Sequence, residues 1–427
     1  MSVYLRADQV DRAVSEPAHD GAPFSYRRVV AGSFDGGDTI HVHLEPPTGR
    51  MGGLPEHGLL VVAHRAGEPP LEALPSDRRE AAVRAALAEL PPVGRPLLVV
   101  LCAAGSASFA WRVDAAAGGL EPRDTRLIPG FEHVFDRTRG ILETGLLARR
   151  SVAIVGVGSG GSACALELAR CGVGRFTLID HDRLELHNVS RHACGVSDLG
   201  RHKTRAVRDL LLDRNPHAAI ATHEVDVLAS PDALDRAVAG ADLVIAGTDN
   251  NASRRAINKA ALRHGKVALY GRLMLRACGG DVLRARPRRG PCYECILAAV
   301  WRHREEEVSQ ARQAEALGYS DRPVVPEPGL SNDIQPVASM IVRLALQELV
   351  RGTPSCLAAL DADLTSDFYF WANRREEQYA RWQPMGHGLD GLSILRWYGI
   401  AMGRDPRCPA CGAHAPVADA DAAFFGG

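Results

Sequence analysis

A glycine-rich turn, Gly156-Val157-Gly158-Ser159-Gly160-Gly161, is the first pattern in this 427-residue chain whose residue types could do chemistry. Glycines let backbone N–H groups approach a phosphate closely, and a helix that begins at such a turn adds its positive N-terminal dipole. An apolar run over 152–155 precedes the turn, and a helical pattern over 162–171 follows it. This strand–turn–helix order predicts a site for nucleotide phosphates. An NAD-dependent oxidoreductase fits these residues as well as any other nucleotide-binding protein does.

Polar residues after the next predicted strands help to distinguish between these classes of nucleotide-binding protein. Asp180 ends the strand predicted over 176–179, where an acidic residue suits ribose hydroxyls. Among the polar residues further along the chain, six have types that suit nucleotide phosphates or a metal ion: Asp182, Asn188, Arg191, Lys203, Asp249 and Asn250. A dehydrogenase needs no asparagine and arginine directly after this acidic position. Lys203 is one of only three lysines in the chain, so a lysine at this position is notable.

Together these motifs resemble the ubiquitin-activating-enzyme superfamily, whose bacterial members include adenylyltransferases of the MoeB/ThiF/HesA type. The family pattern is D-x-D followed by N and R, then G-x-x-K, then T-D-N, and the match covers about 151–300 and more loosely extends to 412. The resemblance implies that a carboxylate is coupled to ATP as an acyl-adenylate, with release of pyrophosphate. The substrate would be the C-terminal carboxylate of a small ubiquitin-like or sulfur-carrier protein, or of a ribosomal peptide.

The resemblance also implies a role for each matching residue. Asp180 would contact the ribose and Asp249 would carry Mg²⁺. Asn188, Arg191 and Lys203 would hold the triphosphate, because a carboxylate must approach an anionic phosphate and this needs cationic stabilisation. The remaining nucleotide-binding positions are Gly156, Gly158, Ser159, Gly161, Asp182 and Asn250.

Two positions depart from the family pattern. His192 stands where the pattern has glutamine, and His187 stands where it has serine or threonine. Both side chains can still form hydrogen bonds. We therefore expect the difference to bear on how the substrate is read rather than on the nucleotide site.

A segment over 135–142 resembles the family helix whose arginine reaches across a dimer interface to the ATP phosphates. Arg137 is the better match and Arg139 is the alternative, although both could be ordinary surface arginines. The resemblance therefore implies a homodimer in which Arg137 acts as a catalytic residue.

Two C-x-x-C pairs, Cys292/Cys295 and Cys408/Cys411, could hold a metal ion. Two pairs complete a tetrahedral Cys₄ zinc site, which leaves no open position for water and is therefore structural. A redox pair is the alternative, but it needs one pair in a thioredoxin context. Many relatives pass the acyl group to a cysteine in a long loop that here spans 302–332. That loop contains no cysteine, so the resemblance does not require an enzyme thioester.

The elements that must position these residues follow an α/β pattern. From residue 151 onwards apolar segments alternate with helices of about 10–15 residues, which predicts a doubly wound, Rossmann-like parallel sheet. After Gly279 we expect an antiparallel strand over 281–285, a helix over 335–351 with Pro336 in its first turn, and a late strand over 368–371. The predicted domains are a smaller α+β domain over 1–128, the adenylation domain with its zinc knuckles over 129–412, and a flexible tail over 413–427.

The first domain is predicted from strands over 59–63, 97–101 and 109–113 and from a helix capped by Ser76. It weakly resembles a JAMM-type metalloisopeptidase, whose signature is H-x-H followed by S-x-x-D. His64 and Ser76 are placed as expected, but Ala66 and Arg79 stand at the second histidine and at the aspartate. With two metal ligands missing, the domain is either a degenerate isopeptidase or an unrelated α+β domain.

Composition excludes several classes of protein. Fifty basic residues against 51 acidic ones give a formal net charge of −1, so no basic excess attracts nucleic acid. No apolar run reaches the ~18 residues of a membrane span. The N-terminus has no apolar signal-peptide core, so we expect a cytoplasmic location. The remaining alternatives to an adenylyltransferase are a non-catalytic nucleotide-binding scaffold and, less favoured, the oxidoreductase.

Overall fold

The computed structural model describes residues 2–15, 24–34, 39–43, 56–63, 70–88, 98–103, 107–113, 119–128, 133–301, 329–376, 379–382 and 393–412. The chain divides into two compact units, Met1–Asp136 and Arg137–Gly427. Residues 129–132, beside the predicted domain boundary, and the predicted tail over 413–427 lie outside the described residues. None of the described helices combines the length and the hydropathy that crossing a membrane requires.

Seven strands of the first unit close into a barrel in the order β1-β3-β2-β4-β5-β6-β7. The strands are β1 (Ser2–Arg6), β2 (Phe24–Phe34), β3 (Thr39–His43), β4 (Glu56–Ala63), β5 (Leu98–Cys102), β6 (Phe109–Val113) and β7 (Leu120–Ile128). Two helices accompany them, α1 (Ala7–Ser15) and α2 (Ser76–Ala88). Strand β1 closes the barrel because it pairs in parallel with both β3 and β7.

Two of the three strands that the sequence predicted in this unit, β4 and β5, are buried on both faces. In β4, Leu60 packs into one apolar cluster and Leu59 and Val61 pack into another. Strands covered on both sides read as continuous apolar runs, which are easily recognised. Strand β7 was missed because it carries exposed charges, among them Glu121 and Asp124, and shows no such run.

An eight-stranded sheet forms the second unit, in the order β10-β9-β8-β11-β12-β13-β14-β15. The parallel strands are β8 (Ser151–Val155), β9 (Arg175–Ile179), β10 (Ala219–His223), β11 (Leu243–Ala246) and β12 (Val267–Leu273). The antiparallel strands are β13 (Gly279–Ala285), β14 (Phe368–Ala372) and β15 (Arg396–Ile400). In chain order the parallel strands read 3-2-1-4-5, so the topology switches between β8 and β11. Ligands of such sheets bind at the carboxyl ends of the strands beside this switch.

Helices cover both faces of the sheet, which confirms the doubly wound prediction. They are α3 (Thr144–Leu147), α4 (Ser159–Arg170), α5 (Lys203–Leu212), α6 (Pro231–Ala239), α7 (Asn251–Arg263), α8 (Tyr293–Ile296), α9 (Ser331–Val350) and α10 (Leu360–Asp363). One apolar cluster joins α4, α5 and α9 to one face, and a second joins α6, α7 and α8 to the other. The helix α6 and the strand β15 were not predicted from the sequence.

The prediction for the start of α9 was wrong. This helix begins at Ser331, so Pro336 lies inside it and not in its first turn. The polar residues Ser331 and Asn332 start the helix, although the sequence assigned them to the loop over 302–332. Proline lacks the N–H that would bond to the carbonyl four residues earlier, and the fold tolerates this loss near the helix start. Residues 302–328 of the predicted loop lie outside the described residues.

A buried arginine connects the antiparallel part of the sheet to α9 and to the segment after α10. Arg284 on β13 is 0% exposed. Its Nε donates to Asp367 at 3.3 Å, and its Nη1 donates to Gln347 at 2.6 Å and to Glu348 at 3.1 Å. Its Nη2 donates to the carbonyls of Leu364 and Ser366, both at 2.8 Å. Every nitrogen of this guanidinium therefore has a partner, which offsets the cost of burying its charge.

Candidate functional site

The glycine-rich turn follows β8 at the topological switch, and its glycines fall into two groups. Gly156 has a φ of +86°, and a Cβ there would lie 2.7 Å from the carbonyl carbon of Gly247. A Cβ at Gly161 would lie 1.9 Å from the carbonyl oxygen of Gly156. By contrast, a Cβ at Gly158 or Gly160 would meet nothing within 4 Å. The first group packs backbone against backbone, and the second leaves room above the turn for a ligand such as phosphate.

Backbone groups in the middle of this turn are held from two sides. Val157, which is fully buried, donates its N–H to Asp180 Oδ2 at 2.8 Å. Its carbonyl lies 2.8 Å from His192 Nε2. Asp180 Oδ1 accepts the N–H of Asp182 at 2.9 Å, so this carboxylate orients both the turn and the segment after β9. Each carboxylate oxygen keeps a second lone pair, and ribose hydroxyls remain possible partners.

His192 lies beneath the turn and not on a surface that faces a substrate. It is 8% exposed, and its Nδ1 accepts the N–H of Cys194 at 3.0 Å. Burial lowers the pKa of this imidazole. We expected His192 to affect substrate recognition, but the structure places it against the backbone of the glycine turn. His187 is exposed, with its Nδ1 3.3 Å from Glu185.

Lys203, the first residue of α5, is nearly buried at 9% exposure. Its Nζ donates to Asp182 Oδ2 at 2.6 Å. A short antiparallel bridge between Arg183 and His202 brings the start of α5 beside the segment after β9. Partial burial raises the pKa of Asp182, but the hydrogen bond and the charge of Lys203 outweigh this and lower it. Lys203 and Asp182, two of the residues predicted to bind the nucleotide, thus form an ion pair at this edge of the sheet.

Arg191 and Asn188 follow in the same segment. Arg191 is half-buried, and its guanidinium has no hydrogen-bond or ion-pair partner within the described part of the chain. Asn188 ends a short 3₁₀ turn, and its Oδ1 accepts the N–H of Glu185 at 3.0 Å. Asn188 is therefore a structural cap in this structure, and Arg191 keeps all its side-chain donors for a ligand.

The residues after β11 face the same edge of the sheet. Asp249 is exposed, and its carboxylate has no partner among the described residues. Asn250 caps α7, because its Oδ1 accepts the N–H of Ser253 at 2.9 Å. Thr248 Oγ1 is buried without a hydrogen-bond partner. Such an orphaned hydroxyl is costly and indicates a missing partner. No role was predicted for Thr248, Gly160 or Gly247, although a glycine directly before T-D-N is visible in the sequence.

Arg137 lies in a 3₁₀ turn over Asp136–Thr138 and is exposed. It has no partner within the described residues, whereas Arg139 takes part in an interaction. Glu143 anchors the chain that follows, since it accepts the Ser355 hydroxyl at 2.7 Å and the Cys356 N–H at 2.6 Å. These bonds lower the pKa of Glu143 to about 2. Arg137 is therefore exposed and without a partner among the described residues, six positions before the anchored Glu143.

The two cysteine pairs come together in space. The Sγ atom of Cys292 lies 3.8 Å from that of Cys295 and 3.6 Å from that of Cys408, and the Sγ atoms of Cys295 and Cys411 lie 3.5 Å apart. Sulfurs at tetrahedral positions ~2.3 Å from a zinc ion lie about 3.8 Å apart, so the four thiols fit Zn²⁺. These distances are far longer than a disulfide bond. The donor set thus fits the predicted structural zinc, with Cys292, Cys295 and Cys408 buried.

In the first unit, Arg79 stands where an isopeptidase would have its metal-binding aspartate, and its side chain stabilises the local fold. Arg79 donates to the carbonyls of Leu71 at 3.0 Å and Leu74 at 2.9 Å, and its guanidinium lies 4.0 Å from the centre of the Phe109 ring. His64 and Ala66 lie outside the described residues. Among the described residues, this unit has no cluster of potential metal ligands. The resemblance to an isopeptidase stays a prediction.

Comparison with known proteins places the second unit in a family. The ThiF family profile matches residues 140–372. The chain is 29% identical over 163 residues to ubiquitin-like modifier-activating enzyme 5 of Caenorhabditis elegans, covering 36% of this chain and 39% of the relative. It is 34% identical over 152 residues to the adenylyltransferase and sulfurtransferase MOCS3 of Aedes aegypti, covering 35% and 34%. The chain thus spans about two fifths or less of these relatives.

Solved structures of E. coli MccB are also similar. The complex of MccB with ATP has a TM-score of 0.45 and 19% sequence identity, covering 63% of this chain and 68% of that one. The family profile covers more than half of the chain and includes the glycine turn, Lys203, Asp249 and the first cysteine pair. The chain therefore belongs to the ThiF family.

Proposed function

We propose that this protein is an ATP-dependent adenylyltransferase. A carboxylate oxygen of the substrate attacks the α-phosphorus of ATP, the α–β phosphoanhydride bond breaks, and pyrophosphate leaves. The observation that carries the proposal is the set of ligand-ready groups at one sheet edge. There the turn is open above Gly158 and Gly160, Arg191 lies in the segment after β9, Lys203 begins α5, and Asp249 follows β11. Family membership and the adenylyltransferase among the relatives support ATP as the nucleotide.

Charge determines the proposed roles at this edge. The guanidinium of Arg191 and the ammonium of Lys203 hold the triphosphate and reduce its repulsion of the attacking carboxylate. Asp182 keeps the Lys203 ammonium oriented until the phosphates arrive. Asp180 would receive the ribose, and the exposed carboxylate of Asp249 would hold Mg²⁺, whose preferred ligands are oxygens. Mg²⁺ held there would supply positive charge beside the phosphates.

The proposed substrate is the C-terminal carboxylate of a small ubiquitin-like or sulfur-carrier protein, or of a ribosomal peptide. We propose that no enzyme thioester follows, because an attacking thiol needs a lowered pKa and the pKa is raised at Cys102, Cys164, Cys171 and Cys356. Burial raises the pKa of Cys102 and of Cys164 to about 12. Cys356 is exposed, but its thiol donates to the Gly140 carbonyl, and the hydrogen bond with Glu143 raises its pKa. The cysteine-free segment over 302–328 supports the same conclusion.

The deciding experiment is ATP–pyrophosphate exchange. Native protein is supplied with ubiquitin-like proteins, sulfur-carrier proteins and peptides that end in a free carboxylate, and the same peptides with a C-terminal amide serve as the control. We expect exchange with one class of carboxylate and none with its amide. ATP binding without exchange for any of them would favour a non-catalytic scaffold, and binding of reduced nicotinamide in place of ATP would favour an oxidoreductase.

The variants Lys203→Ala and Asp249→Ala test the assigned residues. Each should reduce exchange by roughly 10²–10³-fold, because each removes a charge that stabilises the transferring phosphate. Lys259→Ala is the matched control, since Lys259 is an exposed lysine on α7 in a chain with only three. Near-native exchange in either test variant, with the folded state verified by circular dichroism, would remove that residue from the mechanism.

A further inference from the structure

The buried His192 is a polar side chain from outside the glycine turn that supports it, as Asp180 also does. Its Nε2 lies 2.8 Å from the Val157 carbonyl, and its Nδ1 lies 3.0 Å from the Cys194 N–H. Val157 lies between Gly156 and Gly158, the first two glycines of the turn. Because Asp180 accepts the Val157 N–H, both backbone polar groups of this residue have a side-chain partner.

These two contacts determine the proton position on the ring. The Cys194 N–H is a donor, so Nδ1 must accept and carry no proton. The Val157 carbonyl is an acceptor, so Nε2 must carry the proton. Only the neutral Nε2–H form satisfies both. A doubly protonated ring would place its Nδ1–H against the Cys194 N–H and lose that hydrogen bond.

Charged groups around the ring come from three elements. Lys203 at the start of α5 disfavours a second proton, whereas Asp180 after β9 and Asp198 in the 3₁₀ turn over Val196–Asp198 favour it. Asp198 is already paired with Arg201 at 2.8 Å, and Asp180 is bound by two backbone amides. Burial is the largest influence and opposes a charge on the ring. The neutral ring is therefore the form that the native fold selects near pH 7.

We infer that His192 is a positioning residue that holds the glycine turn in its phosphate-binding shape only while the imidazole is neutral, so that acidification weakens ATP binding. The inference rests on the proposed function in taking ATP as the ligand. The sign follows from the buried neutral ring: a histidine with a lowered pKa supports the folded arrangement above its usual pKa of about 6.5. That support is lost as the pH falls further, through the lowered pKa of the folded protein.

Binding of Mg²⁺–ATP, measured by titration calorimetry between pH 5 and pH 8, tests this inference. His192→Gln offers an amide donor and an amide acceptor that do not titrate. We expect it to bind within about threefold of native protein at pH 8 and to lose less affinity than native protein on acidification. His192→Ala leaves the buried Val157 carbonyl and Cys194 N–H unpaired, so it should bind about tenfold more weakly across the whole range. Protonation of ATP itself is common to all variants and cancels in the comparison with native protein at each pH.

The control is His217→Gln, which makes the same substitution at an exposed histidine just before β10, at the opposite edge of the sheet. It should reproduce the native pH profile. A profile of His192→Gln that coincides with the native one would overturn the inference and leave the proposed function intact. Failure of native protein to bind ATP at every pH would instead overturn the proposed function.

Hydrogen exchange at the Val157 amide provides a readout without any ligand. In native protein its protection, corrected for the intrinsic pH dependence of exchange, should fall on acidification, and in His192→Gln it should not. Equal protection of the two proteins throughout would contradict the positioning role even if ATP is not the natural ligand.

Discussion

Two charged clusters of the second unit differ in how completely their polar groups are satisfied. All three nitrogens of Arg284 are hydrogen-bonded in a site with no exposure. At the carboxyl edge of the parallel strands, Arg191 and Asp249 have no partner among the described residues, and the buried Thr248 hydroxyl is unpaired. A cluster whose polar groups are all hydrogen-bonded within the protein has no donor or acceptor left for a ligand. A cluster with unpaired donors and acceptors at the strand ends can bind one.

The difference has an energetic basis. Removing one partner of a buried ion pair leaves an uncompensated charge, so such clusters are sensitive to substitution and contribute to the fold. Truncating a group that faces open space changes the free energy of unfolding little, because water already solvates that group. If this distinction is correct, substitutions in the two clusters should separate stability from activity.

The largest effect is expected for Arg137, which lies ahead of α3 and has no partner among the described residues. We propose that the active form is a homodimer in which Arg137 completes the partner's ATP site, because arginines delivered in this way stabilise phosphate charge and contribute about 10³–10⁵ in rate. Arg137→Ala should lose activity without loss of stability. Mixed with Lys203→Ala, it should regain about half the native activity per heterodimer, since one of the two sites is then intact.

Subunit exchange must be verified for that mixture, for example by native mass spectrometry of tagged chains. No recovery after exchange, or full activity of a strictly monomeric enzyme, would contradict the proposal of action across a dimer. If Arg139→Ala and not Arg137→Ala loses activity and complements, the role passes to Arg139.

A smaller and purely structural effect is expected at Arg284. Arg284→Met should lower the free energy of unfolding by about 3 kcal/mol, at the low end for a broken buried pair. The reason is that Arg351 still neutralises Glu348 at 2.9 Å and Arg286 still neutralises Asp367 at 2.6 Å. Urea unfolding measures the change, and the exposed Arg289→Met is the matched control. A stable Arg284→Met variant with impaired ATP binding would reverse the roles of the two clusters.

The smallest effect on exchange activity is expected at the cysteine cluster. Elemental analysis should find about one zinc per chain, because four thiols at these distances fit one tetrahedral ion. A Cys408→Ser variant should melt at a lower temperature, by roughly 2–4 °C for each kcal/mol lost, with a smaller change in exchange activity. The exposed Cys356→Ser is the control. Zinc-free protein with native stability would contradict a structural role.

The sequence by itself was sufficient for the features that depend on local spacing. A strand, a glycine turn and a helix are adjacent in the chain, so their order alone predicted the phosphate site and the doubly wound sheet. The C-x-x-C pairs were equally readable, because two thiols three residues apart can reach one metal ion, and the structure brings the two pairs together. The boundaries were less certain, as the early start of α9 at Ser331 shows.

Only the tertiary structure decided what the polar residues at the site do. Asn250 and Asp180 have the residue types of ligand contacts, yet they also cap a helix and hold the glycine turn. His192 is far from Val157 in the chain, and its burial beneath that residue left no signal in the sequence. The physical reason is that a hydrogen bond depends on distance and direction between groups, whereas residue type records only which groups are available.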